Sequence, residues 1–430
     1  MLEFITSFLS TPAFIIGLIA LVGLIALRKS ASAVVKGTLK TILGFMILQA
    51  GAGIIVQSLS IFSTMFQDAF GLNGVVAEDN AIAAAVQTVL GFETSLILVF
   101  GFLVNVLLAR ITPLKYIFLT GHMMFSMAAT IAIVLDQMGV SGWLAIGIGS
   151  VVQGLASVVF PALAQPFVRK VTGNDNVALG FYGSSLIWAS GWVGGKLSNL
   201  SRGRKSADVQ LKTTEDIQIS EKWDFLKEMS VLISMVMVTV FAITAAFTSP
   251  DVLAEVSGGQ PVAIMVLTQA LTFVVGILIL LQGVRMFLGE LVPAFKGFSE
   301  KIVPGAKPAL DIPVFYSFAP NATTIGFLMA LVGGTLATVV SGFLSIVVLP
   351  SVIGLFFMGA AAGVFGNAYG GRRGAVIAGF LLGFLFQFIV ALAYPLIGLS
   401  DYGIVGLWFA SPDAILVVAI MRAVGFLFGV

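Results

Sequence analysis

The chain has 430 residues, of which 59% are hydrophobic and only 10% charged, with a net charge of +2. Soluble domains carry about 25% charged residues, so this shortage excludes a soluble enzyme and a disordered chain. The small net charge leaves no footprint for a nucleic-acid phosphate backbone, so nucleic acid is excluded as a partner.

A helix needs roughly 20 apolar residues to cross the hydrocarbon core. In chain order the predicted spans are 12–27, 41–64, 81–108, 115–135, 143–166, 229–248, 262–288, 323–341, 343–365, 374–397 and 412–430, about eleven in all. The first apolar run has no basic segment before it and meets Arg28 and Lys29 after it, so it reads as a retained span and not a cleaved signal. The Gly- and Ser-rich stretch 177–195 reads as a re-entrant hairpin. Continuous apolar runs exclude a barrel, whose strands alternate with period two. The expected fold class is an all-α polytopic membrane protein, and 48 glycines suit close helix packing in lipid.

The loops sort by charge. One set holds Arg28, Lys29, Lys36 and Lys40, then Arg110 and Lys115, Arg169 and Lys170, the cluster between Lys196 and Lys227, Lys296, Lys301 and Lys307, and Arg372 with Arg373. The other holds Asp68, Glu78, Asp79, Asp136, Asp251, Glu255, Asp401 and Asp413, with no Lys or Arg. Cytoplasmic loops carry the basic excess. The first set is therefore expected inside, the N-terminus outside and the C-terminus inside. The single transmembrane domain, 1–430, divides into a first half (1–195), a cytoplasmic linker (196–228) and a second half (229–430). The linker is too short to bury a core, and it reads as a joint between halves or a docking strip for a cytoplasmic partner.

Gly44–Gly51 reads GFMILQAG and Gly276–Gly283 reads GILILLQG. Glu78 lies 29 residues after Gln49, and Asp311 lies 29 residues after Gln282. By the charge rule the two helices run in opposite directions, which is the mark of inverted repeats in transporters, with the site between the halves near the midplane.

Polar residues inside a bilayer are costly and so are functional candidates. Here they are Glu93, His122, Gln153, Arg285, Glu290, Asp311 and Arg422. Arg285 and Glu290 read as a pair snorkelling at a helix end, and Arg422 as an interfacial anchor. Asp311 lies between Pro308 and Pro313, which break the helix and expose backbone, tolerable at this depth only around a cavity. A carboxylate that accepts and an imidazole that donates suit a hydroxylated solute, so His122 and Asp311 are expected to meet there. The glycine-rich run Gly366–Gly371 before Arg372 reads as a tight turn. With no cysteine and one histidine, no metal, cofactor or phosphocysteine is expected on this chain.

The stretches LRKSASAVVKGTLKTILGFMILQAGAGI, GLNGVV, LTGHMMF, QGVRMFLGELVPAF, the run from Ile302 to Ala322 and AGVFGNAYGGRRGA lie between about residues 26 and 376. In them the chain resembles the membrane subunit (IIC component) of the ascorbate-type phosphotransferase system, in the ascorbate/galactitol superfamily. The resemblance implies a homodimer of eleven-span subunits with inverted repeats, a substrate-holding core and a scaffold, set in membrane lipid. It implies that solute is phosphorylated by a separate cytoplasmic IIB protein carrying the phosphocysteine, with IIA upstream. The chain itself is then a permease subunit, taking up ascorbate or a related acidic or polyol sugar across the inner membrane. An ion-coupled secondary transporter of a small hydroxylated solute stands beside that reading. The family's ligand contacts map onto Asp79 and Asn80, onto His122, Met123, Met124, Phe125 and Ser126, and onto Asp311. A family His-Gln pair maps onto Phe181 and Tyr182. Gln49, Gln282 and Glu290 are candidates for support.

Overall fold

The computed structural model describes residues 12–71, 74–200, 212–217, 228–344 and 346–428. The chain is an all-helical polytopic membrane protein. Helix α1 (Pro12–Ala26) is followed by α2 (Ala31–Phe70), which Ser30 starts by accepting the Ala33 N–H and Gly71 stops at a φ of 65°. Strand β1 (Gly74–Ala77) precedes α3 (Asp79–Val89) and α4 (Gly91–Ile111). Next come β2 (Tyr116–Phe118), α5 (Gly121–Gln137), α6 (Gly142–Thr172), β3 (Ala178–Leu179) and α7 (Ser184–Leu200). The second half runs α8 (Met229–Phe247), α9 (Pro250–Ser257), α10 (Val262–Ile302), β4 (Lys307–Leu310), α11 (Pro313–Tyr316) and α12 (Pro320–Ser341). It ends with β5 (Val347–Leu349), α13 (Val352–Ala393), β6 (Leu407–Trp408) and α14 (Pro412–Phe428).

Among the described residues, six helical stretches are long and apolar enough to cross the hydrocarbon core: Ala31–Phe70, Gly91–Ile111, Gly142–Thr172, Val262–Gly283, Pro320–Ser341 and Val352–Leu396. Exposed Leu163, Ile243 and Val339 show the outward apolar faces that lipid covers.

The two repeats touch. Helices α2 and α10 cross antiparallel, backbone against backbone: a Cβ on Gly51 would lie 2.4 Å from the Leu280 nitrogen, and one on Gly283 would lie 2.3 Å from the Leu48 nitrogen. Counted from the first glycine of each motif, these are the same contact exchanged, so a local two-fold relates the helices. Small residues let membrane helices approach this closely.

The strands repeat the exchange. The first sheet has the order β5-β1-β6 and the second β2-β4-β3, all pairs parallel. Each half therefore lends its central strand to two strands of the other half. The second sheet lies on the basic face, where Lys307 and Arg169 both pair with Asp175.

Several predicted spans are divided. The run 81–108 breaks at Leu90 (φ −122°, ψ 40°) into α3 and α4. The runs 343–365 and 374–397 become two arms of α13 joined at Gly371, whose φ of 61° and ψ of −151° interrupt the helix. A Cβ on Gly374 would fall 2.2 Å from the Gly366 carbonyl oxygen; the expected tight turn is a one-residue joint between packed arms. Strand β3 enters from the basic face and α7 returns to it, where Ser198 donates to the Gly370 carbonyl at 2.9 Å beside Arg372. The segment predicted as a last span, 412–430, likewise starts at the end of β6 and runs back toward the Asp136 face, where Arg422 donates to Gln137 at the end of α5.

Most of the expected linker lies outside the described residues. Its segment 212–217 is docked: Glu215 accepts the Asn321 and Ala322 N–H groups at 3.1 and 3.2 Å, and Arg372 Nε donates to the Thr213 carbonyl at 2.7 Å. Thr214 is fully buried there.

Candidate functional site

All six strands end at one place. A cavity of about 270 Å³ is lined by Ala77 at the end of β1 with Glu78, Asp79 and Asn80 after it, His122 and Met123 after β2, Phe181 after β3, Asp311 and Pro313 after β4, Ser351, Ile353 and Gly354 after β5, and Ala410 after β6. Leu281 and Arg285 of α10, with Phe357 and Met358 of α13, complete it. Short buried strands bring the backbone inward, and helices start at the cavity edge. Their first N–H groups and positive dipole ends face it, an arrangement that favours negative or electron-rich solute atoms.

The acids around the cavity differ in how committed they are. Glu78 caps α3: its Oε2 accepts the Ala81 N–H at 2.6 Å and its Oε1 accepts from Asn80 Nδ2 at 3.1 Å. Asp79 reaches across to the second half, where its Oδ1 accepts the Ala410 and Ser411 N–H groups at 2.8 and 3.2 Å and its Oδ2 accepts the Ser411 hydroxyl. Asp413 makes the reciprocal tie, accepting from the Ser184 hydroxyl at 2.9 Å and from the Ser185 N–H at 3.3 Å. These three acids, read from charge as loop residues, are buried. Asp79 and Asp413 hold the strand–helix turns of the two repeats together, while Glu78 caps its own helix.

Asp311 is the freest of them. Its Oδ1 accepts the Ile312 N–H at 2.8 Å, and its Oδ2 lies 3.8 Å from His122 Nε2. That gap is too long for a hydrogen bond. A solute hydroxyl set between them can accept from the imidazole and donate to the carboxylate. Asn80 adds a buried carbonyl oxygen with no partner among the described residues, and a buried unsatisfied acceptor costs about 1–3 kcal/mol.

The expected site residues divide. Asp79, Asn80, His122, Met123, Phe181 and Asp311 line the cavity. Met124, Phe125, Ser126 and Tyr182 do not: only the first turn of α5 reaches the edge, so Met124 and Phe125 turn into the core. Ser126 donates to the Asp79 carbonyl at 3.3 Å, holding the wall from behind. Tyr182 shares a hydrogen bond with Ser157 at 2.8 Å and stacks on Phe118. Gln282 is exposed and Gln49 half-buried, and neither lines the cavity. In both motifs the glycines make the crossing. The Glu290 side chain lies outside the described residues.

Arg285, one of the costly polar residues of the sequence, lines the cavity, on a helix that continues to Ile302 and so does not end there with Glu290. Ser351 was not among the expected residues. Ser351 caps α13 by accepting the Gly354 N–H at 3.4 Å; its place before a helix in the second repeat, matching Thr120 before α5, was the available signal.

Residues 7–413 match the EIIC-GAT family, the sugar-specific permease component of the PTS system. The chain is 29% identical to a Mycoplasma pneumoniae protein named ascorbate-specific PTS system EIIC component, over 91% of this chain. It spans 66% of that relative's length.

Proposed function

The chain belongs to the sugar-specific permease family of the phosphotransferase system, and from that premise we propose that it takes up ascorbate, or a closely related acidic or polyol sugar, and presents it for phosphorylation by a separate cytoplasmic IIB protein. IIA would supply IIB, and the permease would work as a homodimer with the basic face in the cytoplasm. No cysteine is present to carry the phosphoryl group, which agrees with a donor on another chain.

One observation carries the reading: six strand–helix turns from two interlocked repeats surround a cavity of about 270 Å³ in which His122 and Asp311 face each other without bonding. The volume lies just below the roughly 300–1,000 Å³ of drug-sized ligand pockets, so it suits one monosaccharide-sized solute. An imidazole and a free carboxylate oxygen are the donor and acceptor that vicinal hydroxyls require. Asp79, Asn80, Met123 and Phe181 shape the remaining wall. Phe181 presents a hydrophobic ring where the family resemblance places a histidine, which trims the polar contacts and leaves room for a related acid or polyol.

The test is uptake of labelled solute into cells or vesicles supplied with phosphoenolpyruvate and the soluble phosphotransferase proteins. Uptake should persist when the proton gradient is collapsed, and the product should be the phosphorylated sugar. Loss of uptake on collapse, with unmodified solute inside, would assign the chain to ion-coupled transport instead.

A further inference from the structure

Arg285 stands in α10 five residues past Leu280, the point where α2 and α10 cross. At about 1.5 Å per residue that places it roughly 8 Å along the helix from the crossing, two residues past the apolar stretch Val262–Gly283 and on a helix that continues to Ile302. It lines the cavity with Asp311 and His122. Among the described residues no carboxylate lies within ion-pair distance of it. The acids nearest the cavity are engaged elsewhere: Glu78 caps α3, Asp79 ties the β6–α14 turn, and Asp311 is directed at Ile312 and His122.

A guanidinium stays charged at any physiological pH. Beside an apolar stretch a charge is favourable where water or a counter-charge meets it, and the cavity is where this one is met. The helix N-termini around the cavity add positive potential of the same sign. Two anionic partners suit it, a protein carboxylate and the solute; of the carboxylates that line the cavity, Glu78 and Asp79 have other bonds and Asp311 faces His122.

We propose that Arg285 is the specificity-determining residue of this cavity, selecting an anionic, acidic sugar over a neutral polyol by pairing with the solute's negative charge while His122 and Asp311 hold its hydroxyls. This rests on the functional reading above and narrows it to the acidic class. The guanidinium is a planar donor fork suited to an oxygen pair carrying delocalised charge, such as an ionised enediol.

The experiment measures binding of L-ascorbate and of the neutral lactone L-gulono-1,4-lactone to purified protein in detergent. Wild type should prefer the anion at least tenfold. Arg285→Gln should bring the two affinities within threefold, mainly by losing ascorbate, and Arg285→Lys should keep most of the preference. An Arg285→Gln protein that retains the wild-type ratio overturns the proposal while leaving the functional reading intact. If Arg285→Gln does not yield folded protein, wild type and Arg285→Lys decide: a wild type indifferent to charge, or an Arg285→Lys protein with the preference inverted, overturns it. Wild type that binds neither compound removes the functional reading itself.

Discussion

His122 Nε2 and Asp311 Oδ2 face each other across 3.8 Å, brought together from different repeats by the ends of β2 and β4. Those strands are hydrogen-bonded neighbours, with Phe118 opposite Ala309. The donor and the acceptor are thus set by backbone register, and neither side chain has to be ordered by the solute.

Asp311→Asn should abolish solute binding while the protein remains monodisperse, because the change swaps an acceptor oxygen for a donor and breaks no hydrogen bond between repeats. His122→Ala should weaken binding by about 1.5–3 kcal/mol, the range for hydrogen bonds to charged groups. Titration calorimetry beside size-exclusion profiles checks both. Normal binding in both variants, with poor behaviour in detergent, would make the pair structural.

Asp79→Ala should behave differently. Three hydrogen bonds to the β6–α14 turn depend on that carboxylate, and removing it leaves two buried N–H groups without partners. Loss of thermal stability by several degrees should accompany loss of binding. Ser411→Ala, which keeps both N–H contacts, should lower the melting temperature less.

The apolar spans and the opposed repeats were legible because lipid-facing helices must be apolar along their length and because two glycine motifs survive in both halves. The strands were not legible. Two to four residues buried on both faces, such as Ala178–Leu179, show no alternation and merge with the apolar run beside them. That is why 177–195 read as one stretch and 81–108 as one helix. Within the site, the family resemblance assigns contacts to consecutive residues. A helix that meets a cavity end-on offers only its first turn, so His122 and Met123 line the wall and Met124 and Phe125 cannot. Arg285 lines the cavity although its charge lies near the end of an apolar run, because only the fold brings that part of α10 beside the strand ends.

Gly51→Leu and Gly283→Leu should each prevent assembly. A Cβ at either position falls inside 2.5 Å of the opposing backbone, so the helices must part, and the separation spreads to the strands between them. Yield of folded protein and protease resistance report it. Gly53→Ala, at a position with open space around it, is the matched control and should be tolerated.

The Lys307 ammonium beside Asp175, aided by Gln165 and Arg169, holds the Asp175 carboxyl well below the usual carboxylate range. A depressed folded-state pKa gives stability that is present above the unfolded value, about 3.9, and is lost as pH falls through the folded value. Stability from this cluster should therefore be flat between pH 5 and 8 and decline only below about pH 4. Asp175→Asn should lower the melting temperature modestly at pH 7 and remove that part of the acid dependence.

The absence of native cysteine makes orientation directly readable. A membrane-impermeant maleimide applied to intact cells should label Glu255→Cys and spare Lys205→Cys until the membrane is opened. The reverse pattern would invert the orientation proposed here.

The exchange of central strands also imposes an order on biosynthesis. When the first half has left the ribosome, β1 has neither neighbour, and β2 and β3 wait for a strand between them that has not yet been translated. Their backbone amides cannot be left bare in hydrocarbon, so the newborn first half must keep them wet, shielded by the insertion machinery, or out of the bilayer until β4 arrives. The two repeats are therefore alike in shape but unequal in history: one inserts as an incomplete frame, and the other inserts into it.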